Sequence, residues 1–68
     1  MIKLGKYQHY KGSFYRVEGV VTHSETEEKM VLYRPLYGEQ ALWVRPFDMF
    51  QETVNINGVI TPRFAFVE

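Results

Sequence analysis

The sequence predicts an all-β domain: a small SH3-like barrel of five or six short antiparallel strands, with one short helical turn after Pro46. Three observations support this fold class. Turn-forming residues recur about every ten residues, a spacing typical of sandwiches and barrels. The segments between them are rich in β-branched and aromatic residues. No segment keeps a helical spacing of apolar residues for more than one turn.

The clearest predicted strand covers residues 14–23. Its alternation places Tyr15, Val17, Gly19, Val21 and His23 on one face. The other face carries Phe14, Arg16, Glu18, Val20 and Thr22, and should meet water. Because glycine has no side chain to pack, its position in mid-strand predicts a bend, a bulge or the close approach of another element. Before this strand, residues 7–10 form either an edge strand or an ordered arm, followed by a turn at Lys11-Gly12.

Residues 29–36 form the next predicted strand, and a polar, acidic hairpin loop at residues 24–28 connects it to the first. A further strand covers residues 40–45, with Leu42 and Val44 on one face and Trp43 and Arg45 on the other. Pro46 ends it, because proline has no N–H for a ladder and its φ suits the start of a helical turn. Phe47 and Phe50 then lie on the same side of that turn, as expected of core residues.

The end of the chain carries the best local turn signal. Asn57-Gly58 between two apolar segments predicts a two-residue hairpin, because a type I′ turn needs positive φ at both central residues. A last strand at residues 63–67 can complete the sheet.

Length and composition limit the classes of protein. The chain has 68 residues, predicted as a single domain over 1–68, with 8 basic and 8 acidic side chains and no cysteine. Neutrality argues against strong non-specific binding to nucleic acid. No window has the roughly 20 apolar residues of a membrane span, and the N-terminus lacks the apolar segment of a signal peptide. We therefore expect a cytoplasmic protein with no membrane partner.

Several segments together resemble a family of short bacterial domains of unknown function. They are Tyr10-Lys11-Gly12 with Tyr15-Arg16-Val17 and Gly19, His23-Ser24-Glu25-Thr26, residues 31–38, Leu42-Trp43-Val44-Arg45-Pro46, Met49-Phe50 and Pro62-Arg63-Phe64. The resemblance covers nearly the whole chain. It implies a complete small domain of bacterial origin, and it implies no activity, cofactor or catalytic residue.

The segment His23-Ser24-Glu25-Thr26 combines an imidazole, two hydroxyls and a carboxylate, and is therefore the first candidate for a reactive site. Neighbouring strand residues point to opposite faces, so His23 is poorly placed to activate Ser24. The favoured interpretation is that Ser24 and Thr26 hydrogen-bond the loop backbone, with ligand contact as the alternative. His9 and His23 lack the spacing of a metal site, so no metal, no cofactor and no catalytic residue is predicted.

Trp43 and Arg45 share a strand face, with Arg34, Tyr33 and Tyr37 on or beside the neighbouring strand. If Trp43 faces outward, these residues form a stacking surface for an extended peptide or for single-stranded nucleic acid. The alternative is that Trp43 covers the core with Arg45 lying across its ring. The ligand surface that the sequence predicts consists of Trp43, Arg45, Arg34, Tyr33, Tyr37 and His23.

The function that this surface favours is a small non-catalytic binding module for a protein, a peptide or a small ligand. Three alternatives remain from the sequence alone. They are a nucleic-acid-contacting small barrel, a structural homo-oligomer that buries the aromatic surface, and an enzyme that uses His23.

Overall fold

The computed structural model describes residues 2–68 and contains two antiparallel sheets. Its elements in chain order are β1 (Gly5–His9), β2 (Phe14–Thr22), β3 (Lys29–Pro35), β4 (Trp43–Pro46), α1 (Phe47–Phe50), β5 (Thr53–Ile56), β6 (Val59–Pro62) and β7 (Phe64–Phe66). Five strands form one sheet in the order β4-β3-β2-β1-β7, and β5 pairs with β6 in a separate hairpin. The predicted all-β class with one short helical turn is confirmed.

The main sheet of this small β-rich domain is open and does not close into a barrel. Within residues 2–68, β4 and β7 are its two edges and do not pair with each other. Both strands are short, and β4 ends at Pro46, which has no N–H to donate to a neighbouring strand. Side chains cover the open side between β4 and β7: Phe50 of α1 stacks on Phe64 of β7, with the ring centroids 4.2 Å apart.

The core lies on the inner face of the sheet, which is the face that α1 covers. It consists of Tyr7, Val17, Val31, Tyr33, Phe50 and Phe64. Phe47 is half-buried and packs against this cluster. The placement predicted for the two phenylalanines of the helical turn is therefore confirmed for Phe50 and holds in part for Phe47.

The predicted irregularity at Gly19 is a β-bulge. Val17 pairs with Tyr33, whereas Gly19 pairs with Leu32, so Glu18 is the extra residue of β2. The bulge reverses the alternation that follows it. Val20 pairs with the buried Val31 and faces inward, while Val21 is exposed, which is the opposite of the predicted assignment.

Two further segments differ in position from the prediction. Residues 7–9 belong to β1, which is an inner strand between β2 and β7, and Tyr10 lies in the turn that follows. The strand predicted to begin at residue 40 begins at Trp43, because residues 37–40 form a turn in which Gly38 and Gln40 have positive φ.

The Asn57-Gly58 hairpin is confirmed, with φ of 50° and 84° at its two central residues.

In residues 2–68, no helix has the length and apolar character needed to span a lipid bilayer.

Candidate aromatic and cationic binding surface

Trp43 lies at the exposed end of the inner face, where β4 begins. Its side chain is 42% exposed, yet its ring is supported from below by Tyr33 and Tyr15, at centroid distances of 6.1 and 6.2 Å. These separations fall within the range of favourable aromatic pairs. The indole therefore packs against two tyrosines and still keeps part of its surface available to a ligand.

A shallow groove of about 250 Å³ begins at Trp43 and runs along the β3–β4 loop. We call it the Tyr37–Trp43 groove; it is lined by Pro35, Tyr37, Gly38, Glu39, Gln40, Ala41 and Trp43. Tyr37 forms its other aromatic wall and is 47% exposed. The groove therefore offers two partly exposed aromatic rings and a short stretch of loop backbone.

Hydrogen bonds hold the loop that shapes this groove. The Gln40 N–H donates to the Tyr37 carbonyl over 3.3 Å, and Arg34 Nη1 donates to the Gln40 carbonyl over 3.2 Å. Arg34 Nε also donates to Glu18 Oε2 over 2.9 Å. Arg34 lies on the outer face, because it follows the inward-facing Tyr33 in β3. Arg34 therefore holds the loop that forms the groove from the outer face of the sheet.

A second group of side chains adjoins the groove. We call it the Arg45 cluster, and it consists of His9, Tyr15, Tyr33, Arg45 and Phe64. Arg45 Nε donates to the Tyr33 hydroxyl over 3.3 Å, and the guanidinium carbon lies 5.6 Å from the centre of the Phe64 ring. Arg45 thus packs across Phe64, whereas the alternative that the sequence left open had it lying across Trp43.

Tyr15 is the member of the Arg45 cluster that also contacts the groove, through Tyr37. Its ring lies 5.7 Å from that of Tyr37 and 5.4 Å from that of Phe64, and its hydroxyl is 3.0 Å from the Tyr37 hydroxyl. Burial, followed by the hydrogen bond to Tyr37, raises the pKa of Tyr15 to about 12. The phenol is consequently neutral at physiological pH and able to donate or accept a hydrogen bond.

His9 extends the cluster on the side of β1. Its ring lies 5.0 Å from that of Phe64, and its Nδ1 accepts a hydrogen bond from the Lys11 N–H over 3.1 Å. Burial lowers the pKa of His9, and the positive charges of Arg63, Lys11 and Arg45 lower it further. Three positive charges therefore act on His9 at this end of the inner face, although the whole chain is formally neutral.

The structure divides the six residues of the predicted ligand surface. Trp43, Tyr37 and Arg45 lie on the same side of the domain. Tyr33 is only 3% exposed, so it supports the surface from beneath. Arg34 acts from the outer face, as described above.

His23 lies apart from this surface, in the β2–β3 loop. Its Nδ1 accepts hydrogen bonds from the Glu25 and Thr26 N–H groups, over 3.1 and 3.3 Å. The hydroxyl of Thr26 accepts one from the Glu28 N–H, as predicted. His23 takes the loop-organising position that the prediction gave to Ser24.

His9, Tyr15 and Phe64 are the residues that the sequence did not assign to the surface. Tyr15 was placed only on a strand face, and His9 was considered only as a metal ligand. One local signal could have found Tyr15: a hairpin through Lys11-Gly12 brings it opposite Tyr7, as observed. The contact between β1 and β7 has no comparable local signal.

Comparison with known proteins identifies the family of this chain. The model of a family described as "Protein of unknown function (DUF1653)" matches residues 5–66. A crystal structure of a DUF1653 protein from Bordetella bronchiseptica matches with a TM-score of 0.88 and 35% sequence identity, covering 97% of this chain and 87% of that chain. No curated protein matches. The chain belongs to the DUF1653 family, whose function is unknown.

Proposed function

We propose that this protein is a non-catalytic binding module that holds an extended protein segment in the Tyr37–Trp43 groove. The observation that carries the proposal is the half-exposed Trp43 opposite the half-exposed Tyr37. Proline-rich segments in the polyproline II conformation dock into grooves lined by aromatic rings in this way. Such segments are preformed, so they lose little conformational entropy on binding.

The size of the groove favours a peptide side chain over a cofactor or a metabolite. Small-molecule sites usually have volumes of about 300–1,000 Å³ and enclose most of the ligand. The groove has about 250 Å³ and is shallow. It therefore suits one or two side chains of a longer partner.

The support beneath the groove favours a binding role over simple exposure of an apolar residue. Trp43 rests on Tyr15 and Tyr33, and the Gln40 backbone is held by Arg34. A surface that is already ordered loses less entropy when a partner binds. The proposal includes a cytoplasmic location, with which the lack of cysteine is compatible.

Trp43 fluorescence provides the primary test, because this is the only tryptophan of the chain. The probes are acetylated, amidated decapeptides with the PxxP spacing, and matched peptides with alanine in place of proline. We expect a saturable change in emission with the proline peptides and a much weaker one with the alanine peptides. Fluorescence polarisation with labelled peptides extends the measurement to variants that lack Trp43.

The matched variants are Trp43→Ala, Tyr37→Ala and Val44→Ala. Removing an aromatic side chain at the centre of an interface typically costs about 2 kcal/mol or more, or about 30-fold in affinity. We expect such a loss for the first two variants. Val44 is comparably exposed but faces the other side of β4, so its variant should bind normally.

Three results would contradict the proposal. The first is that no peptide binds at millimolar concentration. The second is that Trp43→Ala weakens binding to oligonucleotides in a salt-dependent manner, which would favour the nucleic-acid alternative. The third is a molecular mass that rises with concentration and a Trp43 that becomes buried as it does so, which would favour the homo-oligomer.

A further inference from the structure

Arg45 has donor groups that no side chain of residues 2–68 uses. Its Nε donates to Tyr33, but its two terminal nitrogens have no hydrogen-bond partner in this part of the chain. Three other basic residues in the described range form ion pairs: Lys6 with Glu68, Arg34 with Glu18 and Arg63 with Glu52. The guanidinium of Arg45 is half-buried, held in place by Tyr33 and Phe64, and lacks a carboxylate.

The surroundings of Arg45 increase the positive potential at this point. Burial is the main cause of the lowered pKa of His9, and the positive charges of Arg63, Lys11 and Arg45 lower it further. In addition, the Nε of Arg63 is buried without a hydrogen-bond partner. A ligand with a negative charge would offset this potential, and a planar guanidinium matches the geometry of an oxyanion.

One carboxylate fits these observations better than a chain of phosphates. Nucleic-acid binding sites present several unpaired basic side chains along a path. Here Arg34 is already paired with an acidic residue, and Arg63 contacts Glu52 over 3.5 Å. Lys11 is exposed, with its ammonium over the Tyr10 ring, so Arg45 is the half-buried cation of the cluster that has no carboxylate. The site therefore offers one strong anion contact beside an aromatic groove.

We propose that the Arg45 cluster recognises a single carboxylate on the segment that occupies the Tyr37–Trp43 groove. This inference rests on the proposed function and specifies the chemistry of its partner. Trp43 and Arg45 are two residues apart on the same face of β4, which corresponds to about 6.5 Å. A polyproline II segment rises about 3.1 Å per residue, so the acidic residue should lie about two residues from the proline that contacts Trp43.

The test compares capped peptides with glutamate or glutamine two residues before or after the first proline of the PxxP spacing. We expect one glutamate position to bind about tenfold more tightly than its glutamine counterpart at low salt, since charge-assisted hydrogen bonds are the stronger class. A third pair carries its only carboxylate at a free C-terminus. That pair distinguishes a side-chain carboxylate from a terminal one.

Variants at Arg45 connect this preference to the cluster. Arg45→Gln should abolish the preference for glutamate while glutamine peptides still bind, and Arg45→Lys should retain part of it. Arg16→Gln removes an exposed arginine on the outer face and serves as the charge control. Thermal unfolding of each variant shows that the domain remains folded.

NMR gives a readout that a purely structural role of Arg45 would not change. A bound carboxylate should raise the pKa of His9, because it offsets the charges of Arg45, Arg63 and Lys11, and it should shift the Arg45 Nε–H resonance. Glutamine peptides should produce neither effect. Titration with N-acetylglutamate amide measures the anion contact without the groove.

Equal binding of glutamate and glutamine peptides at every position would overturn this inference and leave the binding module intact. An unchanged Arg45 resonance with glutamate peptides and with N-acetylglutamate amide would also overturn it. If no peptide binds but the small carboxylate shifts Arg45, the proposed function fails and the anion site stands.

Discussion

Phe50 is the residue through which α1 fixes the open side of the sheet, and its removal tests that role. The ring is 1% exposed, stacks on Phe64 at 4.2 Å, and meets the edges of Tyr33 and Tyr7 at 5.3 and 5.5 Å. Truncation of a buried phenylalanine to alanine costs about 3–5 kcal/mol. Three aromatic pairs are lost together, so we expect Phe50→Ala to lie near the upper end of this range.

That loss is large for so small a domain. A stability of about 0.05–0.15 kcal/mol per residue gives about 3–10 kcal/mol for a chain of this length. We therefore expect Phe50→Ala to be largely unfolded or to melt at a much lower temperature. Urea unfolding followed by Trp43 fluorescence and by far-UV circular dichroism measures the difference.

Two matched variants keep the result interpretable. Phe50→Leu retains most of the volume and should lose about 1–2 kcal/mol. Phe47→Ala changes the same residue type on the same helical turn, but its ring is half-buried, and it should also lose about 1–2 kcal/mol. The reasoning is refuted if Phe50→Ala costs less than about 2 kcal/mol, or if the Phe47 variant is equally destabilised.

Three other predictions concern backbone geometry and pH. Gly5→Ala should lower the free energy of unfolding by about 2–4 kcal/mol, measured by urea unfolding. The reason is that Gly5 has a φ of 132° and a new Cβ would lie 2.6 Å from the Glu68 carbonyl oxygen. An unchanged free energy of unfolding would contradict this backbone conformation of β1. The raised pKa of Tyr15 favours its neutral form in the folded state, so stability should fall as the pH rises from about 10 towards about 12, and Tyr15→Phe should reduce this fall. The lowered pKa of His9 favours its neutral form, so stability should decrease as the pH falls below about 6.5, and an identical acid profile for His9→Gln would contradict this.

Local sequence signals predicted most of the elements correctly. The Asn57-Gly58 turn, the end of β4 at Pro46 and the irregularity at Gly19 all depend on the backbone preferences of single residues. Such preferences act over two or three neighbouring residues. They can therefore be recognised without knowledge of the rest of the chain.

The same signals could not predict which face of the sheet each residue takes after an irregularity in a strand. The bulge at Glu18 moves Val20 to the inner face and Val21 to the outer face. A glycine indicates where alternation is prone to break, but the pairing of β2 with β3 determines by how many residues it shifts.

The candidate site was accessible to sequence analysis only in part. Trp43, Tyr37 and Arg45 attracted attention because of their residue types. Whether Trp43 would be core or surface depended on how far the sheet closes, and the sheet stays open beside β4.

The sequence by itself determined an antiparallel all-β chain with a proline-terminated strand and a helical turn, because alternation and turn chemistry are local properties. Only the tertiary structure decided that His9 of β1 and Phe64 of β7 lie beside Tyr15 and Arg45. Contacts between residues so distant in sequence depend on strand order and register. Short-range preferences do not encode either of these directly.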